Sequence, residues 1–354
     1  MFTPINGIAV AANQLVDAAG NPVQLHGVNR MSTEYACILN QGYGIFDGPS
    51  TFADNDAMLD IMAQKWNINA LRVPVNEDCW LGSKDGLNPA FTGPTYADAI
   101  TQWVTQITGK GMVAILDLHW AAPKGVAATG QQPMANADNS PRFWALAANA
   151  FMNNGNVIFD LFNEPYLDRD TTLVPPTDAW DFWRDGCQLH VHDDAQNPTA
   201  AVYQAAGMQQ LVDAVRNTGA TNPIMLGGLA YCQDLSGLVA HLPNDPANQL
   251  IASFHPYPGN PCKYDDSACL GGKINAVLAS IPVVAGEFGR DDCTTDGIAD
   301  LMGFLDANGV SYLAWVWTVT NDVCGNGKYD LIQDYLTFNP TVTGGAIQAH
   351  YLAL

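Results

Sequence analysis

Two glutamates in this 354-residue sequence stand where strands should end. VIFDLFNEPY (157–166) reads as a buried strand through Phe162, broken only by Asp160, and then sets Asn163 and Glu164 side by side before Pro165. PVVAGEFG (282–289) ends in the same way at Glu287. An apolar run that stops at a carboxyl group puts that group where core meets solvent, and a following proline removes the amide donor a continuing strand needs. Two carboxyl groups aimed at one bond can divide the work. One, ionised, attacks an electrophilic carbon; the other, protonated, gives its proton to the leaving oxygen and then activates water. Their surroundings must hold their pKa values apart.

Other groups with chemical potential end similar runs. They are Arg72 in NALRVPV (69–75), His119 with Trp120 in MVAILDLHW (112–120), His255 with Tyr257 in LIASFHPY (250–257), and Trp315 with Trp317 in SYLAWVWTV (311–319). A fixed cation beside a carboxyl lowers its pKa, and an indole offers a flat apolar face. Trp66, Trp103 and Trp144 fall in helical patterns and read as packing. HVHDD (190–194) has the look of a metal cluster but lies in a polar stretch, and it reads as a solvated loop. Glu34, Glu77 and Asp78 follow the first two strands and stay open between ligand contact and ordinary loop charge. No G-x-S-x-G occurs, which disfavours a serine hydrolase, and the first strand lacks the H-x-H that a barrel metallohydrolase wants.

The elements that must position these groups recur with a regular rhythm. Eight apolar strands are expected: 23–29, 69–75, 112–120, 157–165, 223–228, 250–257, 282–289 and 311–319. Helical patterns at 55–66, 96–110, 208–219 and 296–309 lie between them, several ending at a glycine suited to a left-handed cap. Near-continuous apolar strands, each followed by a crossover, predict an α/β fold: a single (β/α)8 TIM barrel over residues 1–354. A doubly wound sheet would want a glycine-rich turn after its first strand, and GVNRMSTEY (27–35) has none. ANQLVDAAGNPVQL (12–25) predicts a small N-terminal β-hairpin closing the barrel bottom. In such a barrel the site forms at the C-terminal ends of the strands, where the groups named above collect.

The net charge of −21, from 35 acidic and 14 basic residues, argues against nucleic acid and against anionic membranes. A neutral substrate fits. No apolar run reaches the roughly 18 residues that span a bilayer. The eight cysteines are dispersed, without zinc-ligand spacing, and predict disulfides in a secreted or periplasmic protein. Positions on the barrel suggest the pairs Cys37–Cys79, Cys262–Cys269 and Cys293–Cys324, which leaves Cys187 with Cys232. Long stapled loops would then surround the C-terminal face.

LFNEP and VAGEFG, with LRVP, LDLHW and SFHPY in order, resemble the motifs of glycoside hydrolase family 5, and the resemblance runs from LHGVNR to WVWTV. It implies a retaining β-glycoside hydrolase with no metal and no cofactor. Glu164 matches the family acid/base and Glu287 the nucleophile. Asn163 matches the amide on the sugar 2-hydroxyl, and Arg72 the arginine that keeps the nucleophile ionised. His119, with Trp120 beside it, matches the lining of the subsite at the reacting sugar. His255 and Tyr257 share one strand end, and which contacts which carboxyl stays open. Trp317 matches the platform under the reacting sugar, with Trp315 as the alternative. The implied substrate is a neutral β-linked polysaccharide or oligosaccharide, met by a monomer. Endo-β-1,4-glucanase comes first, with exo-acting β-glycosidase or β-mannanase behind it. An inactive glycan-binding barrel and a metal-dependent barrel hydrolase are the readings from other classes. The long stretch from residue 166 to about 200, holding Trp180 and Trp183, is where specificity would vary.

Overall fold

The computed structural model describes residues 2–39, 44–49, 51–259, 262–320 and 329–354. Its strands are β1 (Ala9–Ala11), β2 (Gln14–Val16), β3 (His26–Asn29), β4 (Ala70–Asn76), β5 (Val113–Trp120), β6 (Val157–Asp160), β7 (Gln188–His192), β8 (Pro198–Gln204), β9 (Ile224–Gly227), β10 (Leu250–Phe254), β11 (Val283–Phe288) and β12 (Ser311–Ala314). Eight of them close a barrel in the order β3-β4-β5-β6-β9-β10-β11-β12 and back to β3. Every pairing around the ring is parallel. These are the eight runs expected from sequence, and the fold is a (β/α)8 barrel.

Helices run between the strands at Phe52–Trp66, Pro94–Gly109, Ser140–Phe151, Met208–Arg216, Ser267–Leu278 and Ile298–Ala307, and Val342–Ala353 follows the last strand. Local chemistry sets their ends. The Thr51 side chain accepts from the Asp54 amide at the start of Phe52–Trp66, and Asn67 closes that helix in the left-handed region at φ 57°. Proline opens Pro94–Gly109, where its missing amide costs nothing. Trp66, Trp103 and Trp144 are fully buried helix-packing residues.

The barrel interior is apolar at its base. Leu25, Ala70, Val113, Ile115, Ile158, Met225, Ile251, Val284 and Leu313 form one cluster, and Ile8 and Leu15 from the β1–β2 region cap it. The expected N-terminal hairpin is therefore a plug for the barrel floor.

The stretch after β6 holds a helix, Ala179–Asp185, and a second antiparallel hairpin, β7–β8, where the sequence predicts only a long loop. Trp183 is fully buried and donates its indole N–H to the Gly227 carbonyl at 2.8 Å. Trp180 packs against Trp183 with ring centroids 5.2 Å apart.

Cys37–Cys79 and Cys262–Cys269 are disulfides as expected. The expected Cys187–Cys232 bond is not formed: both are free thiols. Cys187 sits half-buried just before β7, whereas Cys232 is sealed beneath the end of β9. Its sulfur would lie 2.9 Å from any Cβ placed on Gly227. Cys324, the expected partner of Cys293, lies outside the described residues.

Candidate active site

The strands bring their terminal polar groups into one buried constellation at the C-terminal rim. Arg72 is its centre. The fully buried guanidinium donates from Nε to Asp160 at 2.9 Å, from Nη1 to Glu287 at 2.7 Å and to Asn29 at 3.1 Å, and from Nη2 to Asn163 at 2.8 Å. Its Nη2 also lies 3.0 Å from Asp117. A planar fork with five donors suits this multiple grip, which a lysine could not reproduce.

Glu287 is buried and held at both oxygens. Arg72 donates to Oε1, and the Tyr257 hydroxyl donates to Oε2 at 2.8 Å. Its position depends on a local irregularity: the pairing of β11 with β12 shifts register between Ala285 and Phe288. Gly286 makes room beside it. A Cβ there would lie 2.7 Å from both His255 Nε2 and Ser253 Oγ.

Glu164 reaches the same point from β6. Its backbone is left-handed at φ 50°, an uncommon state for glutamate that costs about 1–2 kcal/mol and turns the chain sharply before Pro165. The Gln131 amide holds the turn by donating to the carbonyls of Asn163 and Glu164 at 3.1 and 2.9 Å. His255 Nδ1 lies 2.9 Å from Glu164 Oε1 and 3.8 Å from Glu287 Oε2. One atom from each of Glu164, His255 and Glu287 falls within 4.8 Å of the others. Tyr257 thus serves Glu287, and His255 stands nearer Glu164, which resolves the choice left open by sequence.

Burial raises the pKa of both glutamates above the usual carboxyl value, and the Arg72 cation opposes the rise at each. The two are not equivalent, because donors from Arg72 and Tyr257 converge on Glu287 and favour its ionised form. Burial holds His119 and His255 down at about 4, so both imidazoles are neutral. Asp117 is pushed up to about 7 and Asp160 to about 6, burial outweighing the neighbouring Arg72 charge. His119 Nδ1 meets Asp117 Oδ2 at 2.6 Å, a contact that fixes the orientation of the ring.

The tryptophan assignment changes. Trp317 is fully buried, donates its N–H to the Met58 sulfur at 3.2 Å, and packs edge-on to Trp66 at 4.9 Å. It has no face to offer a ligand. Trp315 is half-buried and stacks on His119, ring centroids 5.5 Å apart and planes 6° from parallel. β12 ends at Ala314, sooner than its apolar run suggests, and the Trp317 side chain packs against the Phe52–Trp66 helix instead of facing the site. Trp120 is half-buried at the end of β5, 6.1 Å from the Tyr35 ring.

Three groups that sequence reasoning left open prove committed to the protein. Glu77 accepts from the Ala122 amide at 3.0 Å and the Ser140 hydroxyl at 2.7 Å, and Asp78 pairs with Lys84 at 2.7 Å. Glu34 turns back onto the Ser32 amide at 2.8 Å. His190 of the HVHDD stretch pairs with Asp170 at 3.0 Å. Sequence reasoning missed Asn29, Asp117, Asp160 and Gln131. Asp117 and Asp160 carry the one available signal: each interrupts an otherwise apolar strand, two residues from His119 and four from Glu164. Such interruptions in a buried strand call for a buried partner.

The cellulase model (glycosyl hydrolase family 5) matches residues 16–321. Endoglucanase E-5 of Thermobifida fusca is 29% identical over 160 residues, which is 45% of this chain and 28% of that protein. The chain spans about a quarter of the length of the first curated relatives it matches. Endo-beta-1,4-glucanase A of Emericella nidulans is 24% identical over 284 residues, covering 74% of this chain and 73% of that one. A β-glucanase from Saccharophagus degradans, solved in complex with cellotetraose, superposes with a TM-score of 0.70 at 20% identity over 99% of this chain and 94% of its own. The match to the family model spans the barrel from before β3 to beyond β12, Glu164 and Glu287 included, and the chain belongs to glycosyl hydrolase family 5.

Proposed function

We propose that this protein hydrolyses β-1,4-linked glucan at internal bonds, as an endo-β-1,4-glucanase, by double displacement with retention. One observation carries the reading: Glu164 and Glu287 bring carboxylate oxygens within 4.8 Å of each other at the barrel rim. Retaining hydrolysis wants its carboxyl groups about 5–5.5 Å apart, whereas inversion needs about 6.5–9.5 Å to admit a water. Glu287 is the nucleophile, because Arg72 and Tyr257 both donate to it. Glu164 is the acid/base. Asn163, held by Arg72, presents its amide to the sugar beside the nucleophile. His119, Trp120 and Trp315 line the reacting-sugar side. The names of the curated relatives, endoglucanases, support glucan as the substrate class. The acidic composition suits an uncharged polymer, and the disulfides among the described residues suit an extracytoplasmic, monomeric enzyme.

Glu164, His255 and Glu287 also have the spacing of three metal ligands. Both Glu287 oxygens are already engaged by Arg72 and Tyr257, so a cation would compete with protein donors. A panel of neutral polysaccharides and aryl glycosides, assayed with and without EDTA and read out as product sizes, tests the proposal. Chelator-insensitive release of oligosaccharides from β-1,4-glucan is expected. Activity confined to another polymer, or abolished by EDTA, would refute it.

A further inference from the structure

The β7–β8 hairpin lies on the Glu164 side of the site, and it is tied down on both flanks of β6. In the barrel, β6 sits between β5 and β9. On the β5 flank, the Gln132 side chain donates to the His192 carbonyl at 2.8 Å and accepts from the His192 amide at 2.9 Å. Thr129 donates to Asp194 at 2.6 Å. On the β9 flank, the Tyr231 hydroxyl donates to Gln196 at 3.0 Å. The chain that leaves β6 therefore returns as a bridge across the end of that strand.

The β9 anchor is built at a cost. Ala230, Tyr231 and Cys232 are all left-handed, at φ 51°, 60° and 59°. Each such non-glycine residue is unfavourable by about 1–2 kcal/mol and persists only where its surroundings compel it. Here the Tyr231 amide donates to the Pro165 carbonyl at 3.1 Å, and the Ala230 amide to Asp168 at 3.2 Å. The Tyr231 ring stacks on Tyr166, centroids 4.8 Å apart and planes 17° from parallel, with the Arg169 guanidinium 5.3 Å from its centroid. The anchor is thus locked to the same turn that aims Glu164. The root of the hairpin is equally fixed. Leu189, Val191 and Tyr203 are buried, and the Tyr203 hydroxyl donates to the Met134 carbonyl at 2.7 Å. The exposed part runs from Asp193 through Val202, the turn and most of β8.

We infer that this hairpin is a strap that bounds the cleft on the leaving-group side and limits the number of sugar units the departing part of the glucan can place there. The inference rests on the proposed role of Glu164. A proton donor fixes the position of the leaving oxygen, so whatever borders Glu164 borders the departing part of the chain. That border is Gln131, the Tyr231 anchor and the strap. A leaving portion longer than the space beside Glu164 must displace the strap.

The test uses the double variant Tyr231→Phe with Gln196→Ala, which cuts the β9 tether and keeps the stack on Tyr166. Cellohexaose labelled with ¹⁸O at its reducing end reports which bond breaks, and an aryl cellobioside reports chemistry with a leaving group too short to reach the strap. Wild-type protein should cut close to the labelled end. The variant should move cleavage inward and raise kcat/KM on cellohexaose, relative to the aryl cellobioside, by about fivefold, the scale of one lost net hydrogen bond. An unchanged bond pattern and ratio would overturn the strap, and so would a fall in the ratio, which would make the hairpin a binding contact. Gln196→Ala alone, at an exposed turn, repeats the test without risk to folding. If wild-type protein hydrolyses neither substrate, the glycosidase reading fails instead.

Discussion

The floor and the rim of the barrel are made by the same faces of the same strands, yet they share no chemistry. Along β5, Val113 and Ile115 enter the apolar floor, and Asp117 and His119 continue that face into the site. Ala70 gives way to Arg72 on β4, Ile158 to Asp160 on β6, and Ile251 to Ser253 and His255 on β10. A period of two carries each strand from grease to charge within one or two steps. β11 departs from this rule. Val284 and Gly286 keep step, and the register shift then brings Glu287 inward out of phase. The floor holds because it is dry and well packed. The rim holds because one guanidinium is shared among Asp117, Asp160 and Glu287. Stability at the floor is a matter of volume; at the rim it is a matter of charge balance.

The sharpest break in that balance is at the two glutamates. Glu287→Gln should abolish hydrolysis of every substrate. Glu164→Gln should lose natural glucan by about 10²–10⁴-fold, the worth of general acid catalysis, yet still turn over aryl glycosides whose leaving groups need no proton. Kinetics on one substrate of each kind decide the matter, and equal losses in the Glu164 variant would reverse the assignment.

Arg72→Met and Ile115→Ala separate charge from volume. Removing Arg72 strands three buried carboxyl groups and should cost about 3–5 kcal/mol along with nearly all activity. Ile115→Ala should cost about 2–5 kcal/mol through an unfilled cavity, with kcat unchanged in the folded fraction. Denaturant titration and kinetics on both variants check this; a stable Arg72→Met protein would contradict the shared-cation account.

The two tryptophans at the end of β12 divide in the same way. Trp317→Ala should lower stability by about 3–5 kcal/mol and spare turnover, whereas Trp315→Ala should stay folded and lose kcat/KM. Melting temperatures and rates for the pair are sufficient, and the opposite pattern would restore Trp317 as the platform.

A smaller effect follows from buried acids. Glu34 is pushed up to about 8 and Asp117 to about 7, chiefly by burial. A carboxyl whose pKa is higher in the folded state binds protons preferentially there, so its contribution is full below the unfolded value of about 4 and is lost as pH rises through the folded one. Above pH 7.5 the buried histidines, held down at about 4 in the folded protein, are essentially neutral in both states and do not offset this. The melting temperature should therefore fall from pH 7.5 to 9, and Glu34→Gln should flatten that slope. A slope unchanged by the substitution would place the titration elsewhere.

How much of this was legible depended on whether a residue broke a pattern. Glu164 and Glu287 end apolar runs, and Arg72 interrupts one, so all three stood out. Asp117 and Asp160 break their apolar runs as well, yet each also reads as an ordinary member of its strand. Their meaning lies in a partner 45 and 88 residues away, Arg72, which no local window shows. The choice between Trp315 and Trp317 failed because SYLAWVWTV is apolar throughout and carries no mark of where the strand stops. The β7–β8 hairpin hid because its outer strand is exposed along most of its length, so no alternation betrayed it. The Cys187–Cys232 pairing rested on elimination alone, and burial of Cys232 beneath β9 overrode it.

The central claim is that Glu164 and Glu287 attack one bond across a gap too narrow for an intervening water. Proton NMR of the first product formed from a cello-oligosaccharide, recorded before mutarotation, tests it directly. The account predicts that the β-anomer appears first, with the configuration of the substrate retained. Initial appearance of the α-anomer would contradict it.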